Sequence, residues 1–273
     1  MITSVKNDLV KYIDKLQKST KMRREEDVFI AEGIRIVSEI PPERLERIII
    51  SESFFEKNRD IYDKITGSLT KNKIKNEIVS DTVYKHMSDT ETPQGIMAVA
   101  KQFHYSLEDL LINKNSSENN NPLLVILENI QNPGNLGTIL RSSEAAGATG
   151  VVLSSDCADI YNSKVIRGSM GSILRIPFVY AENLPAFIRK LKEEKEIACY
   201  AAALSGSVDY TVPEYTLATA FIIGNEGNGL TEETIKSASK AIRIPMEGRA
   251  ESLNAGIAAS VFLYEAHRQR NQK

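Results

Sequence analysis

The chain has 273 residues, 42% of them hydrophobic, and a formal net charge of -2. That length can bury one large core or two modest ones, and the near-neutral total excludes indiscriminate binding to polyanions while leaving room for a local basic surface. No run approaches the ~18 apolar residues of a membrane span, and Lys6 and Asp8 interrupt the opening before an export signal could form, so a cytoplasmic protein is expected.

In chain order, the first feature is basic. Lys6, Lys11, Lys15, Lys18, Lys21, Arg23 and Arg24 face only Asp8 and Asp14 across an amphipathic stretch, which suits either a solvated helix face or a surface for phosphates. A short apolar run at Val28–Ala31, a helix-like stretch at Gly33–Glu39, a strand at Arg47–Ser51, a polar helix at Glu52–Ile65 and the apolar Gly95–Phe103 follow. Strand-like and helix-like segments alternate, so residues 1–105 read as a small α/β domain. The polar sequence Asn113–Asn121 offers no apolar anchor, and residues 106–121 read as a linker.

Residues 122–273 read as a second domain with a more regular alternation. Strands are expected at Leu123–Leu127, Gly150–Leu153, Pro177–Tyr180, Ile197–Ala203, Thr219–Ile223 and Ala241–Ile244. Helices are expected at Leu136–Ala146, Ser163–Ser172, Leu184–Glu194, Glu232–Ser239 and Ser252–Arg268. Short all-apolar strands separated by amphipathic helices imply a parallel sheet covered on both faces, whose ligands bind beyond the carboxyl ends of the strands. Cys157 and Cys199 lack CxxC spacing and read as buried free thiols; no metal site is expected.

Three strand-end loops have unusual composition. After Leu127, Asn132 and Pro133 bias the chain away from helix, Gly134 and Gly137 permit close backbone approach, Asn135 can cap the next helix, and Arg141 lies within two turns of it. After Ile223, the sequence Gly224-Asn225-Glu226-Gly227-Asn228-Gly229 concentrates three glycines around one charge. Its GxxGxG order reverses the dinucleotide fingerprint, and no GKS or GKT triplet follows a glycine loop, which speaks against a nicotinamide enzyme and against a P-loop. The third loop, from Ile244 through Met246, leads into a helix opened by Ser252 and Asn254 and rich in small residues, Ala255, Gly256, Ala258, Ala259 and Ser260, as tight packing requires.

These three loops, in this order and spacing, resemble the three motifs of the SpoU (TrmH-like) RNA ribose 2′-O-methyltransferases of the SPOUT superfamily. Val165–Pro177 is similar to that family's intermediate segment, and the opening stretch and Thr92–Gln102 resemble its N-terminal substrate-binding domain. The resemblance implies a parallel sheet ending in a deep trefoil knot, preceded by a small ribosomal-protein-like RNA-binding domain. It further implies S-adenosylmethionine as cofactor, a homodimer, and a structured RNA substrate, ribosomal 23S RNA first, with tRNA, the substrate of the minimal enzymes, as the alternative. It assigns Arg141, Asn135, Ser252 and Asn254 to catalysis, and Gly224, Asn225, Glu226, Gly227, Gly229, Ile244, Met246 and Leu253 to the cofactor. RNA contacts would fall to Lys15, Lys18, Lys21, Arg23, Arg24 and Arg167. A chain that kept only RNA binding is the competing interpretation, and the intact motif residues oppose it.

Overall fold

The computed structural model describes residues 1–67, 74–112 and 121–272. It forms two compact units, one of Met1–Phe103 with Tyr161–Arg167, the other of His104–Ile160 with Gly168–Lys273.

In the first unit, α1 (Asp8–Lys18) and α2 (Thr20–Glu25) precede β1 (Val28–Glu32), α3 (Ile34–Glu39), β2 (Leu45–Ser51), α4 (Glu52–Lys57), α5 (Arg59–Gly67), β3 (Lys75–Val79), α6 (Asp81–Met87) and β4 (Ile96–Lys101). The sheet order is β1-β4-β2-β3, with β4 antiparallel to both neighbours and β2 parallel to β3. Val10, Ile13 and Leu16 from α1 and Val83 and Met87 from α6 bury against Val28, Ile30, Ile49, Met97 and Val99 on one face of it. The periodicity of α1 therefore reports its true core side.

Three local expectations change. The polar stretch Glu52–Ile65 is two helices rather than one, because Asn58 leaves helical geometry at φ -129°, ψ 42° and ends α4. The strand β3 escapes a reading by apolar pattern because it is a sheet edge that keeps Lys75 and Asn76 in solvent. Arg23, expected on RNA phosphate, is instead 3% exposed. Its Nη1 donates to the carbonyls of Leu16 and Gln17 (2.9 Å to the latter), and Nη2 donates to Thr20 Oγ1 at 3.1 Å. The guanidinium satisfies carbonyls that the end of α1 leaves without helical partners, so it holds α2 against α1.

In the second unit, α7 (Leu107–Leu111), β5 (Leu123–Leu127), α8 (Pro133–Ala145) and β6 (Gly150–Ser154) are followed by α9 (Ser163–Gly168), whose residues through Arg167 belong to the first unit. Then come β7 (Phe178–Ala181), α10 (Leu184–Lys195), β8 (Ala198–Ala202), β9 (Val208–Asp209), β10 (Thr219–Ile223), α11 (Glu232–Ser237), β11 (Lys240–Arg243) and α12 (Ala255–Asn271). The seven strands run in the order β7-β6-β5-β10-β8-β11-β9, and every pairing is parallel. The central strands β5 and β10 are buried throughout, as a sheet covered on both faces demands.

Within the stretch read as a linker, Ser106 and Asp109 form a capping box that starts α7, and Leu110 is fully buried in the core of this unit. Residues 113–120, the polar part of that stretch, lie outside the described residues. The two-residue β9 is too short and too exposed to register as a strand in the sequence. Both cysteines are buried free thiols, and burial pushes Cys199 up to about 12. At the far end of α12, Arg270 donates to the carbonyls of Tyr215, Asn121, Pro122 and Leu217, tying the helix to the amino-terminal ends of β5 and β10.

The buried role of Arg23 yields a stability prediction. Arg23→Ala strands the Leu16 and Gln17 carbonyls and should destabilise the protein by about 2–3 kcal/mol. Lys15→Ala, on the exposed side of the same helix, should stay within about 0.5 kcal/mol of the parent. Urea denaturation of the two variants checks the difference.

Candidate active site

Strand order brings the loops together. β5, β10, β8 and β11 are consecutive neighbours and parallel, so the segments leaving them at residues 128, 224, 203 and 244 emerge on one edge of the sheet. A cavity of about 440 Å³ opens there. Gly224–Gly229, Ile244, Met246, Ser252 and Leu253 line it. All eight residues expected to hold a cofactor are thus among its walls.

The loop after β10 is shaped by its own backbone. Asn225 Oδ1 accepts from the N–H groups of Gly227 (2.8 Å) and Asn228 (3.2 Å), Gly229 N donates to Asn225 O at 2.9 Å, and Asn225 Nδ2 donates to Asn129 O at 2.9 Å. The chain folds back so closely that a Cβ on Gly224 would overlap the backbone of Gly229 and Leu230. Gly224 is therefore required by the loop itself, and Gly229 by its φ of +66°. Gly227 faces open space apart from Asn225 Oδ1, so its lack of a side chain serves whatever approaches the loop.

Beyond this loop, Glu128 fixes the start of α11. Its carboxylate accepts from Thr231 N and Thr231 Oγ1, both at 2.8 Å, and from Thr234 Oγ1 at 2.6 Å. Sequence reasoning passed over Glu128, although a lone acid directly after a buried strand is the signal that could have found it. It also missed Ala202–Ser205, the end of β8 and the residues after it, which complete the cavity wall. Two alanines, a leucine and a serine carry no signal of their own.

Asn135 joins the three loops. It does not cap α8 as expected; Asn132 does, accepting from Gly134 N (2.8 Å) and Asn135 N (3.3 Å), because the helix starts at Pro133 rather than Leu136. This frees the Asn135 carboxamide. Its Nδ2 donates to Glu226 Oε1, and its Oδ1 accepts from Asn254 Nδ2 at 2.9 Å. The orientation of each amide is forced. Asn254 Oδ1 caps α12 by accepting from Gly256 N and Ile257 N (2.9 and 3.3 Å), so only its Nδ2 can turn to Asn135, which must answer with oxygen and leave its own Nδ2 for Glu226.

Around this relay, α8 and α12 pack closely. Gly256 sits against Thr138, and Ser142 and Ser260 share a 2.7 Å hydrogen bond while Ser260 donates to Gly256 O. Arg141, on α8, is exposed and makes no hydrogen bond or ion pair among the described residues. Ser252 is exposed and precedes α12 rather than lying in it.

The expected RNA contacts divide. Lys15, Lys18, Lys21 and Arg24 are exposed on α1 and α2, with Lys21 3.7 Å from Glu25. Arg23 is buried, and Arg167 donates to Asp89 Oδ2 at 3.0 Å, so part of its charge is already answered. His86 lies 3.4 Å from Asp14 and His267 bonds Asn271, and neither is among the residues that line the cavity.

A parallel α/β unit whose strand-end loops enclose a backbone-lined cavity defines an enzyme domain of the SPOUT methyltransferase type. Residues 122–264 match the SpoU rRNA methylase family, and residues 7–98 match the MRM3-like substrate binding domain. The chain belongs to the SpoU rRNA methylase family. It is 32% identical over 265 residues to the 23S rRNA (guanosine(2553)-2′-O)-methyltransferase RlmP of Bacillus subtilis, covering 96% of this chain and 97% of that one. An AdoMet-bound rRNA methyltransferase from Sinorhizobium meliloti superimposes with a TM-score of 0.85 at 29% identity, over 98% of this chain and 97% of that one. The SpoU methyltransferase AviRb from Streptomyces viridochromogenes, at 24% identity, shares the fold with a TM-score of 0.81 over 97% and 98% of the two chains.

The forced amide relay can be tested by reversing it. Asn135→Asp sets a carboxylate against Glu226 and should weaken S-adenosylmethionine binding by about tenfold or more, the scale of a charged hydrogen bond lost. Adding Glu226→Gln supplies a donor and should restore most of that affinity in calorimetry.

Proposed function

We propose that the protein transfers a methyl group from S-adenosylmethionine to a ribose 2′-hydroxyl of structured ribosomal RNA, with 23S RNA as the substrate class its relatives indicate. The observation that carries this reading is the Glu226–Asn135–Asn254 relay, which holds the first loop against the other two at the cavity. The walls suit the cofactor: Ile223, Leu230, Ile242 and Phe262 offer apolar surface to an adenosine, the loop backbone offers donors and acceptors, and Glu226 and Glu251 offer negative charge to a cation.

When bound, S-adenosylmethionine supplies an electrophilic methyl on a sulfonium that departs as a neutral thioether. No residue is then needed to protonate a leaving group, and the protein's task is to align the hydroxyl and accept its proton. Gly224, Asn225, Glu226, Gly227, Gly229, Ile244, Met246 and Leu253 hold the cofactor. Arg141 clamps phosphate and ribose hydroxyl with its planar fork; a guanidinium stays protonated in proteins and does not serve as the base. Asn135 fixes the loops about that arginine, and Ser252 and Asn254 close the pocket.

We read the segment from Ile244 into α12 as threaded through the preceding loops in a trefoil knot. The position of β11 between β8 and β9 and the close packing of α12 on α8 support this. A homodimer is supported by Ile257 and Tyr264, 53% and 52% exposed and seven residues apart on one side of α12, where a second copy would cover them. The match to a substrate-binding domain over residues 7–98 supports RNA capture by the N-terminal unit with chemistry in residues 122–273, and a ribosomal RNA substrate is in keeping with a cytoplasmic enzyme.

Three experiments address the chemistry. Gly227→Val, whose side chain meets only Asn225 Oδ1 in the protein, should leave the fold intact and abolish S-adenosylmethionine binding in calorimetry. Arg141→Lys keeps the charge but loses the fork, and should cost on the order of 100-fold in single-turnover methyl transfer with cofactor affinity unchanged. A lysine variant as fast as the parent removes Arg141 from catalysis. Subunit exchange between Arg141→Ala and Asn254→Ala dimers should regain part of the activity if each site draws on both copies.

A further inference from the structure

The N-terminal unit holds a second cavity, of about 360 Å³, that methyl transfer does not use. Because β4 runs antiparallel to β1 and β2 while β2 and β3 are parallel, the carboxyl ends of β1, β2 and β3 lie on one edge with the start of β4. Ser51, the last residue of β2, and Gly95, just before β4, both line the cavity. It therefore occupies the edge of the sheet where open α/β folds take their ligands.

Its lining separates by chemistry. Phe54 and Tyr84, 3% and 1% exposed, give apolar walls together with Pro93. The Tyr84 hydroxyl is buried with no hydrogen-bond partner, a rare condition in a folded chain. Gln94 Oε1 accepts from Ile34 N at 2.8 Å, which leaves its Nε2 as a donor, and Asn58 Nδ2 donates to Phe54 O at 3.4 Å, which leaves its Oδ1 as an acceptor. At the rim, Lys57 on α4 and Lys85 on α6 are exposed and make no ion pair among the described residues. The acid of the lining, Asp81, is turned to Ser53, whose hydroxyl and N–H donate to its Oδ1 at 2.6 and 3.2 Å and hold it below the usual carboxylate range.

We propose that this cavity captures an unpaired nucleotide of the RNA substrate, its base resting on the floor that Phe54, Tyr84 and Pro93 form, with an edge on Gln94 Nε2 and Asn58 Oδ1, and its phosphates on Lys57 and Lys85. The proposal rests on the RNA methyltransferase reading above and adds where the substrate is recognised. Proteins read RNA sequence through unstacked bases held on aromatic surfaces and hydrogen-bonded at their edges, while phosphate contacts fix position. The exposed cations of α1 and α2 can supply the second kind of contact. This cavity, with apolar walls, open amide groups and two cations, supplies both. An acidic peptide would use the lysines and leave the aromatic walls without purpose.

The test uses the full chain and a protein-free 23S ribosomal RNA transcript. Lys57→Gln combined with Lys85→Gln should weaken binding by about tenfold or more and lower the slope of log affinity against log salt by roughly 1.4, two phosphates at the single-strand value. Asn58→Ala should weaken binding with the slope unchanged, since no charge is lost. S-adenosylmethionine affinity should be the same in all three proteins. Single-stranded RNA should displace the transcript better than duplex RNA, and 4-thiouridine cross-links to the parent protein should map to residues 51–58, 81–85 and 93–95. Unaltered affinity and slope in the double variant, equal competition by duplex, or cross-links confined to other segments overturns the proposal alone. A parent protein that binds no ribosomal RNA overturns the substrate reading with it.

Discussion

The Asn135 carboxamide, donating to Glu226 and accepting from Asn254, is the contact on which the C-terminal site depends. Each of the three residues leaves a different parallel strand, and nothing in the sheet ladder alone sets the distance between their loops. The relay sets it. Because Asn254 already caps α12 with its oxygen, the sense of every hydrogen bond is determined, and no member can flip without stranding a donor against a donor. A cap that stabilises one helix thus also orients the groups around the cavity.

Rigid anchors lie behind this contact. Glu128 gathers three donors at the start of α11, Asn225 closes its own loop and reaches back to Asn129, and Arg270 ties the far end of α12 beneath β5 and β10. The loop after β10 is itself held by the neutral hydrogen bonds of Asn225 and by backbone shape. Such a loop can present backbone groups to a ligand without the desolvation cost of several buried charges. Arg141, by contrast, remains exposed on α8, a fork available to a partner that the chain itself does not supply.

The basic run of the N-terminal unit divides its charge between two uses. Lys15, Lys18, Lys21 and Arg24 spread along the surface of α1 and α2, whereas Arg23 in the same run serves the fold. A charge count along the chain cannot separate these uses. Arginine carries five donors in a planar fork, and where one helix end leaves two carbonyls unpaired, that fork can satisfy both at once from inside the fold.

The sequence by itself determined the parallel sheet of the C-terminal unit, since β5, β6 and β10 are continuous apolar runs that only a sheet covered on both faces can bury. It also marked the three strand-end loops, because their glycine, proline and asparagine content requires backbone shapes that ordinary strand-to-helix turns do not. The tertiary structure decided what those residues do to one another. Asn135 read as a cap because capping is local chemistry; its bonds to Glu226 and Asn254 span 91 and 119 positions and exist only once strand order is set. The edge strands β3 and β9, half polar or very short, draw their identity from the neighbour they pair with rather than from their own pattern. The burial of Arg23 and Leu110 and the wall at Ala202–Ser205 follow the same rule: side chains with no distinctive local signal acquire a role from what folding places beside them.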